Sequence, residues 1–194
     1  MAIDMFMKVE GVNGESKDSN HKDWTNIESF DWGAEQPGSM TSGGGGGAGK
    51  VNFNDLTVVA AIDKAAPTIL KNCATGQHLS KVEISVCKAG GEQIKYSRTT
   101  LEDVLVTGVK FIGVQDNDAL KMRYSFQAAK VKNQYWEQTD KGSKGAEVQM
   151  AFSTIIHGIE KVTGLLNRDL RFQKQYERVF TRLFGTDAKA APLN

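Results

Sequence analysis

The sequence is poor in cysteine and lacks long apolar runs, and each shortage excludes a class of protein. Only two cysteines occur among the 194 residues. Cys73 and Cys87 are too few for a disulfide framework and lack a zinc spacing, so we expect two small buried apolar side chains. No apolar run approaches the ~20 residues of a membrane helix, and the first residues do not form a signal peptide. We expect synthesis and folding in the cytoplasm, and any export would use a route without a signal peptide.

An excess of one charge sign is also lacking. The formal net charge is +1, so the whole chain gives no argument for nucleic acid. A composition that is 40% hydrophobic and 24% charged is typical of a globular domain, and the length is enough for one domain with a core. The balance is uneven, because residues 1–156 carry 17 basic and 19 acidic side chains while residues 157–194 carry 7 and 4.

Recognisable catalytic motifs are absent. The sequence contains no G-x-S-x-G and no H-E-x-x-H, and no histidine has a cysteine or carboxylate at ligand spacing. We therefore expect His21, His78 and His157 to be surface residues. The enzyme hypothesis has no residue to support it.

One glycine-rich stretch, SGGGGGAGK at residues 42–50, fits most of a phosphate-binding loop. Such a loop needs Ser or Thr after its lysine and a helix behind it, whereas Val51 follows Lys50 and the next residues read as a strand. The pattern therefore argues against nucleotide binding. The alternative is a flexible arm within a loop at residues 33–49, because long loops without secondary structure are often functional.

Alternation of apolar and polar residues predicts a mainly β fold. Seven or eight strands are expected over residues 2–10, 26–32, 50–62, 81–89, 93–114 (two strands), 118–138 and 148–156. One short helix is expected over residues 63–75, with Gly76 as its stop. This order predicts an antiparallel barrel or sandwich with one helix.

The last 38 residues have a different character. The apolar residues Tyr176, Val179, Phe180, Leu183 and Phe184 follow helical spacing, and arginines and lysines line the other face. We expect a basic amphipathic helix at the C-terminus. Three interpretations stay open: it packs on its own barrel, it binds a partner or a second subunit, or it contacts a membrane.

Several motifs occur together in one order. They are GESKD at 14–18, DWG at 31–33, GSM at 38–40, GGGGGAGKV at 43–51, IDKAAPTILKNCATGQH at 62–78, CKAGGEQIKYSRTTLEDVLV at 87–106 and GAEVQMAFS at 145–153. In this order the chain resembles the Hcp family, the haemolysin-coregulated tube proteins of bacterial type VI secretion systems. The resemblance extends from residue 1 to about residue 153.

The resemblance implies a fold, an assembly and partners. The expected fold is a closed antiparallel β-barrel flanked by one short helix, with a tube domain at 1–156 and the helical extension at 157–194. Six copies would form a ring, and rings would stack into the inner tube of the secretion machine, with a spike protein and a sheath as partners. The channel would carry small effector proteins, and the tube protein would itself be secreted. No enzymatic activity, cofactor, metal, nucleic acid or small-molecule substrate is implied.

The resemblance also assigns site residues. The ring-stacking loop would comprise Gly38, Ser39, Met40, Gly43, Gly44, Gly45, Gly46, Gly47 and Gly49. On strand 26–32, Phe30 and Trp32 should face the core, so that Ile27, Ser29 and Asp31 face the other way. Ser29 and Asp31 would then line the channel and contact cargo. The alternative for Asp31 is a solvated position on the barrel exterior.

The extension departs from the family pattern, because typical members end shortly after the last strand. It could follow the ring exterior, line the channel or derive from non-native sequence. The alternative function is a fusion in which a tube domain delivers a short membrane-active or toxic tail.

Overall fold

The computed structural model describes residues 3–36, 38–39, 47–48, 51–88, 93–113, 120–138 and 144–153. The elements in these ranges are β1 (Ile3–Val9), β2 (Thr25–Asp31), β3 (Ala34–Glu35), β4 (Gly38–Ser39), β5 (Gly47–Ala48), β6 (Asn52–Phe53), β7 (Leu56–Ala61), α1 (Ala66–Thr75), β8 (Leu79–Lys88), β9 (Ile94–Ile112), β10 (Lys121–Gln138) and β11 (Lys144–Ser153). The chain divides into two units, Met1–Phe152 and Ser153–Asn194, and the barrel belongs to the first. The helix expected within 157–194 lies outside the described residues.

Six strands close into a barrel. Their order is β10-β7-β2-β1-β8-β9, and pairing between β9 and β10 completes the circle. Every pairing in the barrel is antiparallel. Because closure leaves no unpaired barrel edge, it removes the risk of edge-to-edge aggregation. β11 adjoins β10 outside the circle, and the predicted closed barrel is confirmed.

The barrel interior is filled by one face of each strand. The alternation in β7 is clear, since Leu56, Val58 and Ala60 are buried while the residues between them are partly exposed. The largest fully buried side chains of this core come from β1, β7, β8, β9, β10 and α1: Met7, Leu56, Ile69, Ile84, Leu101, Met122, Tyr124 and Phe126. Burial of these apolar side chains is the main stabilising term of the fold.

β1 and β8 are buried on both faces. Loop 10–24 follows β1 and folds back over the outer face of these two strands, so Phe6, Ser85 and Cys87 are buried on the side away from the core. Backbone hydrogen bonds from Gly14 to Asp23 and from Ser16 to Trp24 hold the loop in shape. Gly14 is required here, because a Cβ at this position would overlap the Trp24 carbonyl.

Helix α1 begins at Ala66, three residues later than the sequence predicted, and ends as expected. Asp63 accepts a hydrogen bond from the Ala65 N–H at 3.0 Å and therefore organises the turn before the helix. Gly76 ends the helix with a φ of 65°, a left-handed conformation that favours glycine.

The segment 93–114 forms one strand, and the prediction of two strands was wrong. β9 runs without a break from Ile94 to Ile112, opposite β10. Gly108 does not make a turn. It lies within the strand opposite Ser125, and the register shifts next to this pair. A β-bulge therefore interrupts the pairing at this point without ending the strand.

Candidate functional site

Ser29 and Asp31 lie on the outer face of β2. Both side chains are exposed, while Phe30 and Trp32 are half-buried and pack against the core, as predicted. The prediction for Ile27 was wrong, because Ile27 is a buried core residue. The register between β2 and β7 shifts between Ile27 and Ser29, and such a bulge lets Ile27 and Phe30 both face inward.

The outer face around Ser29 and Asp31 is shared by four neighbouring strands, β9, β10, β7 and β2; we call it the four-strand face. One row across it runs Lys110, Arg123, Val59, Ser29, and the next row runs Gly108, Ser125, Thr57, Asp31. The rows are mostly small or polar side chains. This face is therefore shallow and wettable, as expected of a surface that does not pack against another layer.

The four-strand face also carries an ion pair. Lys121 on β10 contacts Glu28 on β2 at 2.7 Å, across the intervening β7. Both side chains are partly exposed, so the pair contributes little to stability. It does remove one acid and one base from the charges that this face offers to a partner.

The described residues between 33 and 53 form two short pairs of antiparallel strands, which we call the arm. Ala34 and Glu35 pair with Phe53 and Asn52, and farther out Gly38 and Ser39 pair with Ala48 and Gly47. The expectation of a loop without secondary structure was therefore wrong. At the base of the arm, Trp32 stacks on Phe53 with ring centroids 5.8 Å apart. The ring of Phe53 also packs against that of Phe152, with centroids 5.2 Å apart.

Of the residues assigned to ring stacking, the structure brings Gly38, Ser39 and Gly47 together in the outer pair of strands. Met40, Gly43, Gly44, Gly45, Gly46 and Gly49 lie outside the described residues. Val51 leads into β6, so the element after the glycine run is a strand, as predicted. A phosphate-binding loop needs a helix at this place.

A buried polar cluster joins loop 10–24 to β8, and the sequence did not indicate it. His21 is only 1% exposed and lies 2.9 Å from the Asp18 carboxylate and 2.9 Å from the Ser85 hydroxyl. Its ring stacks on Phe6 with centroids 4.2 Å apart. The expectation that His21 is a surface residue was wrong, because its main partners come from β1 and β8.

The chemistry of this cluster is structural. In the neutral imidazole, Nδ1–H donates to Asp18 and Nε2 accepts from the Ser85 hydroxyl, as the carboxylate can only accept. Partial burial alone would raise the pKa of Asp18, but hydrogen bonds from the His21 side chain and from the Asn20 and His21 backbone lower it. An acid, a histidine and a serine in a line resemble a hydrolase triad, yet Ser85 is 0% exposed and offers no access to a substrate.

The described ranges contain neither a metal centre nor a membrane-spanning helix. Among those residues, no group of three or more His, Cys, Asp or Glu side chains is placed to hold a metal ion. In the same part of the chain, no helix is long and apolar enough to cross a membrane. His78 forms an exposed pair with Asp103 at 2.7 Å, and His157 lies outside the described residues.

Comparison with known proteins gives one consistent result. Residues 6–157 match the family described as "Type VI secretion system effector, Hcp". Protein hcp1 of Pseudomonas aeruginosa is 41% identical over 145 residues, which is 74% of this chain and 90% of that protein.

Solved structures agree with the sequence match. One described as "Structure of a type six secretion system protein" has a TM-score of 0.76 at 26% identity, and the match covers 80% of this chain and 98% of that one. Hcp1 from Salmonella typhimurium has a TM-score of 0.66 at 29% identity, covering 79% and 95%. A type VI secretion system effector from Yersinia pestis has a TM-score of 0.63 at 26% identity, covering 78% and 100%.

Proposed function

The chain belongs to the Hcp family of type VI secretion system proteins, and on this premise we propose that six copies form a ring that stacks into the inner tube of the machine. Hcp proteins are structural tube proteins and not enzymes, they are secreted by this system, and homologues form hexameric rings and tubes. The observation that carries the proposal is the closed barrel with its four-strand face, whose outward rows hold mostly small or polar side chains. A channel that passes folded cargo needs such a wall.

The arm supports the proposal for stacking. It consists of paired strands that begin next to the Trp32–Phe53 contact, and its second pair holds Gly38, Ser39 and Gly47. The sequence between these strands is mostly glycine, whose backbone freedom lets an arm adapt to the next ring. The arm loses conformational entropy only when rings stack, which makes stacking less favourable. Free rings should therefore remain soluble until a spike protein nucleates the tube.

Ser29 and Asp31 are the proposed cargo-facing positions. Both are exposed on the four-strand face, and six copies of Asp31 would form a ring of carboxylates in the channel. Small effector proteins held there would be protected until delivery. The protein would then reside in the cytoplasm before assembly, meet spike and sheath during assembly, and leave the cell through the machine without a signal peptide.

Ring formation is tested by the mass of the purified full chain, measured by light scattering behind a sizing column. We expect the mass of six chains. A monomer at all concentrations would contradict the ring. Stacking is tested by replacing residues 40–46 with Asn-Gly, a two-residue hairpin turn. That variant should keep the ring mass and lose sedimentable tubes, and tubes of wild-type yield would contradict the role of the arm.

Cargo retention is tested by Asp31→Leu. The variant should keep the ring mass, because the side chain is exposed and outside the core, while effector levels in the producing cells fall. Ser29→Ala removes a hydroxyl at the neighbouring outward position and serves as a milder comparison. Equal effector levels in wild type and D31L, or a lost ring, would contradict the assignment.

A second candidate function rests on the extension at residues 157–194, which carries the basic amphipathic pattern. In this alternative the tube domain delivers a membrane-active or toxic tail. Expression of the isolated tail in the periplasm of a sensitive bacterium is the test. Growth arrest would favour the fusion, and normal growth would favour the tube protein alone.

A further inference from the structure

Two cations on the four-strand face are cross-strand neighbours, an arrangement that usually destabilises a sheet. Lys110 on β9 and Arg123 on β10 are direct cross-strand partners on the same face. Both side chains are exposed. Like charges directly opposite each other destabilise a sheet, so an offsetting carboxylate is expected nearby.

That carboxylate is missing from the described part of the chain. Neither the side chain of Lys110 nor that of Arg123 makes a hydrogen bond or an ion pair there. Two residues before Arg123, Lys121 has its partner in Glu28 at 2.7 Å. Asp31 lies two strands and one row away, and strand spacing and rise place its Cα about 12 Å from that of Arg123. Asp31 makes no ion pair with either cation in the described part of the chain.

The surroundings leave the two cations accessible. Val59 and Ser29 continue their row, and Gly108, Ser125 and Thr57 form the neighbouring row. These side chains are small, so nothing within the two rows overhangs the charged groups. The guanidinium of Arg123 presents a planar fork of donors that matches a carboxylate, and Lys110 adds a second donor group beside it.

We propose that Lys110 and Arg123 form a binding patch for carboxylates on the surface of a protein cargo. An unpaired cationic pair is complementary to an acidic surface, and the repulsion between the two cations is relieved when carboxylates bind. The patch belongs to a single chain. The identity of the occupant as a cargo and the multiplication of the patch rest on the proposed function, since a ring of six copies would present twelve such cations to one cargo and add avidity.

A nucleic acid fits this surface less well than an acidic protein. The two rows hold no aromatic side chain on which a base could stack. The binding of a phosphate backbone depends on many unopposed cations, and the two rows offer only Lys110 and Arg123. The observations therefore favour a protein partner with local clusters of Asp and Glu.

The test uses the full chain and a fluorescently labelled poly-glutamate peptide, with binding followed by anisotropy at low salt. The double variant Lys110→Gln with Arg123→Gln should weaken binding at least ~tenfold. Each hydrogen bond between a charged side chain and a carboxylate contributes a factor of about ten to the affinity. The exchanged pair, K110R with R123K, should keep most of the affinity. The matched control, K17Q with K22Q, removes two exposed cations from loop 10–24 and should change affinity less than about twofold.

Three outcomes would overturn the patch. The first is equal peptide binding by wild type and the Gln double variant. The second is a lower urea midpoint of that variant, since this would mean that the two cations are paired within the chain; we expect an unchanged or higher midpoint. The third is displacement of the peptide by a single-stranded oligonucleotide at a lower concentration than by unlabelled poly-glutamate.

The failure of the patch and the failure of the ring are distinguishable. Light scattering on the same samples reports the mass. A monomer that binds the peptide through Lys110 and Arg123 would keep the patch and contradict the ring. A hexamer that binds no peptide would contradict the patch alone.

Discussion

At the scale of single residues, His21 explains why a polar loop stays on the barrel. Loop 10–24 has few large apolar side chains, yet it covers the outer face of β1 and β8. The imidazole contacts Phe6 on one face, while its nitrogens reach Asp18 and Ser85. One side chain therefore combines apolar stacking with the hydrogen bonds that a buried serine needs.

His21→Ala should destabilise the protein by about 2–4 kcal/mol, because it leaves a cavity and removes the partner of the Ser85 hydroxyl. Urea unfolding followed by fluorescence measures the loss. His78→Ala is the matched control, since His78 pairs with Asp103 at 2.7 Å on the surface and should cost less than about 1 kcal/mol. Similar midpoints for the two variants would show that the buried network does not hold the loop.

Glu83 is the acid-sensitive residue of the barrel wall. It is buried on β8, accepts a hydrogen bond from Arg98 on β9 and lies 3.1 Å from the Lys81 ammonium. Burial alone would raise the pKa of Glu83, but the hydrogen bonds and charges of Arg98 and Lys81 outweigh it and lower the pKa below the ordinary 4.5. A carboxyl group whose pKa is lower in the folded state binds protons more readily in the unfolded state.

The stabilisation from Glu83 is therefore complete above pH 4.5 and is lost as the pH falls through the lowered pKa. Glu83→Gln is uncharged at every pH, so wild type should exceed it in unfolding free energy near neutrality, and the gap should shrink below pH 4.5. Urea unfolding at a series of pH values measures the gap. Glu102→Gln, in an exposed pair with Lys130, should show a small gap throughout. A gap for E83Q that stays constant to the lowest pH would contradict the argument.

At the scale of elements, alternation predicted the strands well and their irregularities badly. The class, the single helix and the closed barrel follow from apolar periodicity and from the resemblance. The bulge next to Ile27 could not be predicted from this periodicity. One extra residue leaves the alternation on each side intact, but it reverses the face of the sheet on which the residues before the bulge lie. The continuity of β9 was missed for a related reason: a glycine within an apolar run indicates a turn and a bulge equally well.

The candidate site was likewise predictable only in part from the sequence. Ser29 and Asp31 were predicted to face outward, and both are exposed. The prediction needed only the alternation with their neighbours Phe30 and Trp32. The pairing of Lys110 with Arg123 depends on the register between two long strands, which no local pattern fixes. The contact of His21 with Ser85 joins residues 64 positions apart. Chemistry assembled across such distances becomes visible only with the fold.

The end of α1 gives a prediction at this scale. Gly76→Ala should cost about 1 kcal/mol, because φ is 65° and a Cβ is strained in that conformation. Gly33→Ala is the matched control: a Cβ added at either position would have no atom within 4 Å, and Gly33 lacks the positive φ. Thermal unfolding of the two variants measures the difference. A G33A loss as large as that of G76A would mean that the loss does not come from the left-handed backbone conformation of Gly76.

At the scale of the whole molecule, the barrel is complete well before the chain ends. The last barrel strand is β10, which ends at Gln138, and β11 adds to its outer side. β11 is held there by Glu147, which accepts hydrogen bonds from Gln134 at 2.7 Å and Trp136 at 2.9 Å. Lys144 lies over the Trp136 ring at 3.9 Å. Within the described ranges, every strand pairing is made by residues before 154.

A chain that ends at residue 156 should therefore fold and assemble as the full chain does. Its urea midpoint should match that of the full chain, because the core and both partners of each strand pair are retained. Its mass by light scattering should again be six chains. The comparison variant ends at residue 143 and lacks β11, so it loses the contacts of Glu147 and should unfold at lower urea. If the chain 1–156 were monomeric while the full chain formed a ring, residues 157–194 would be an assembly element, and the division into a tube domain and a dispensable extension would be wrong.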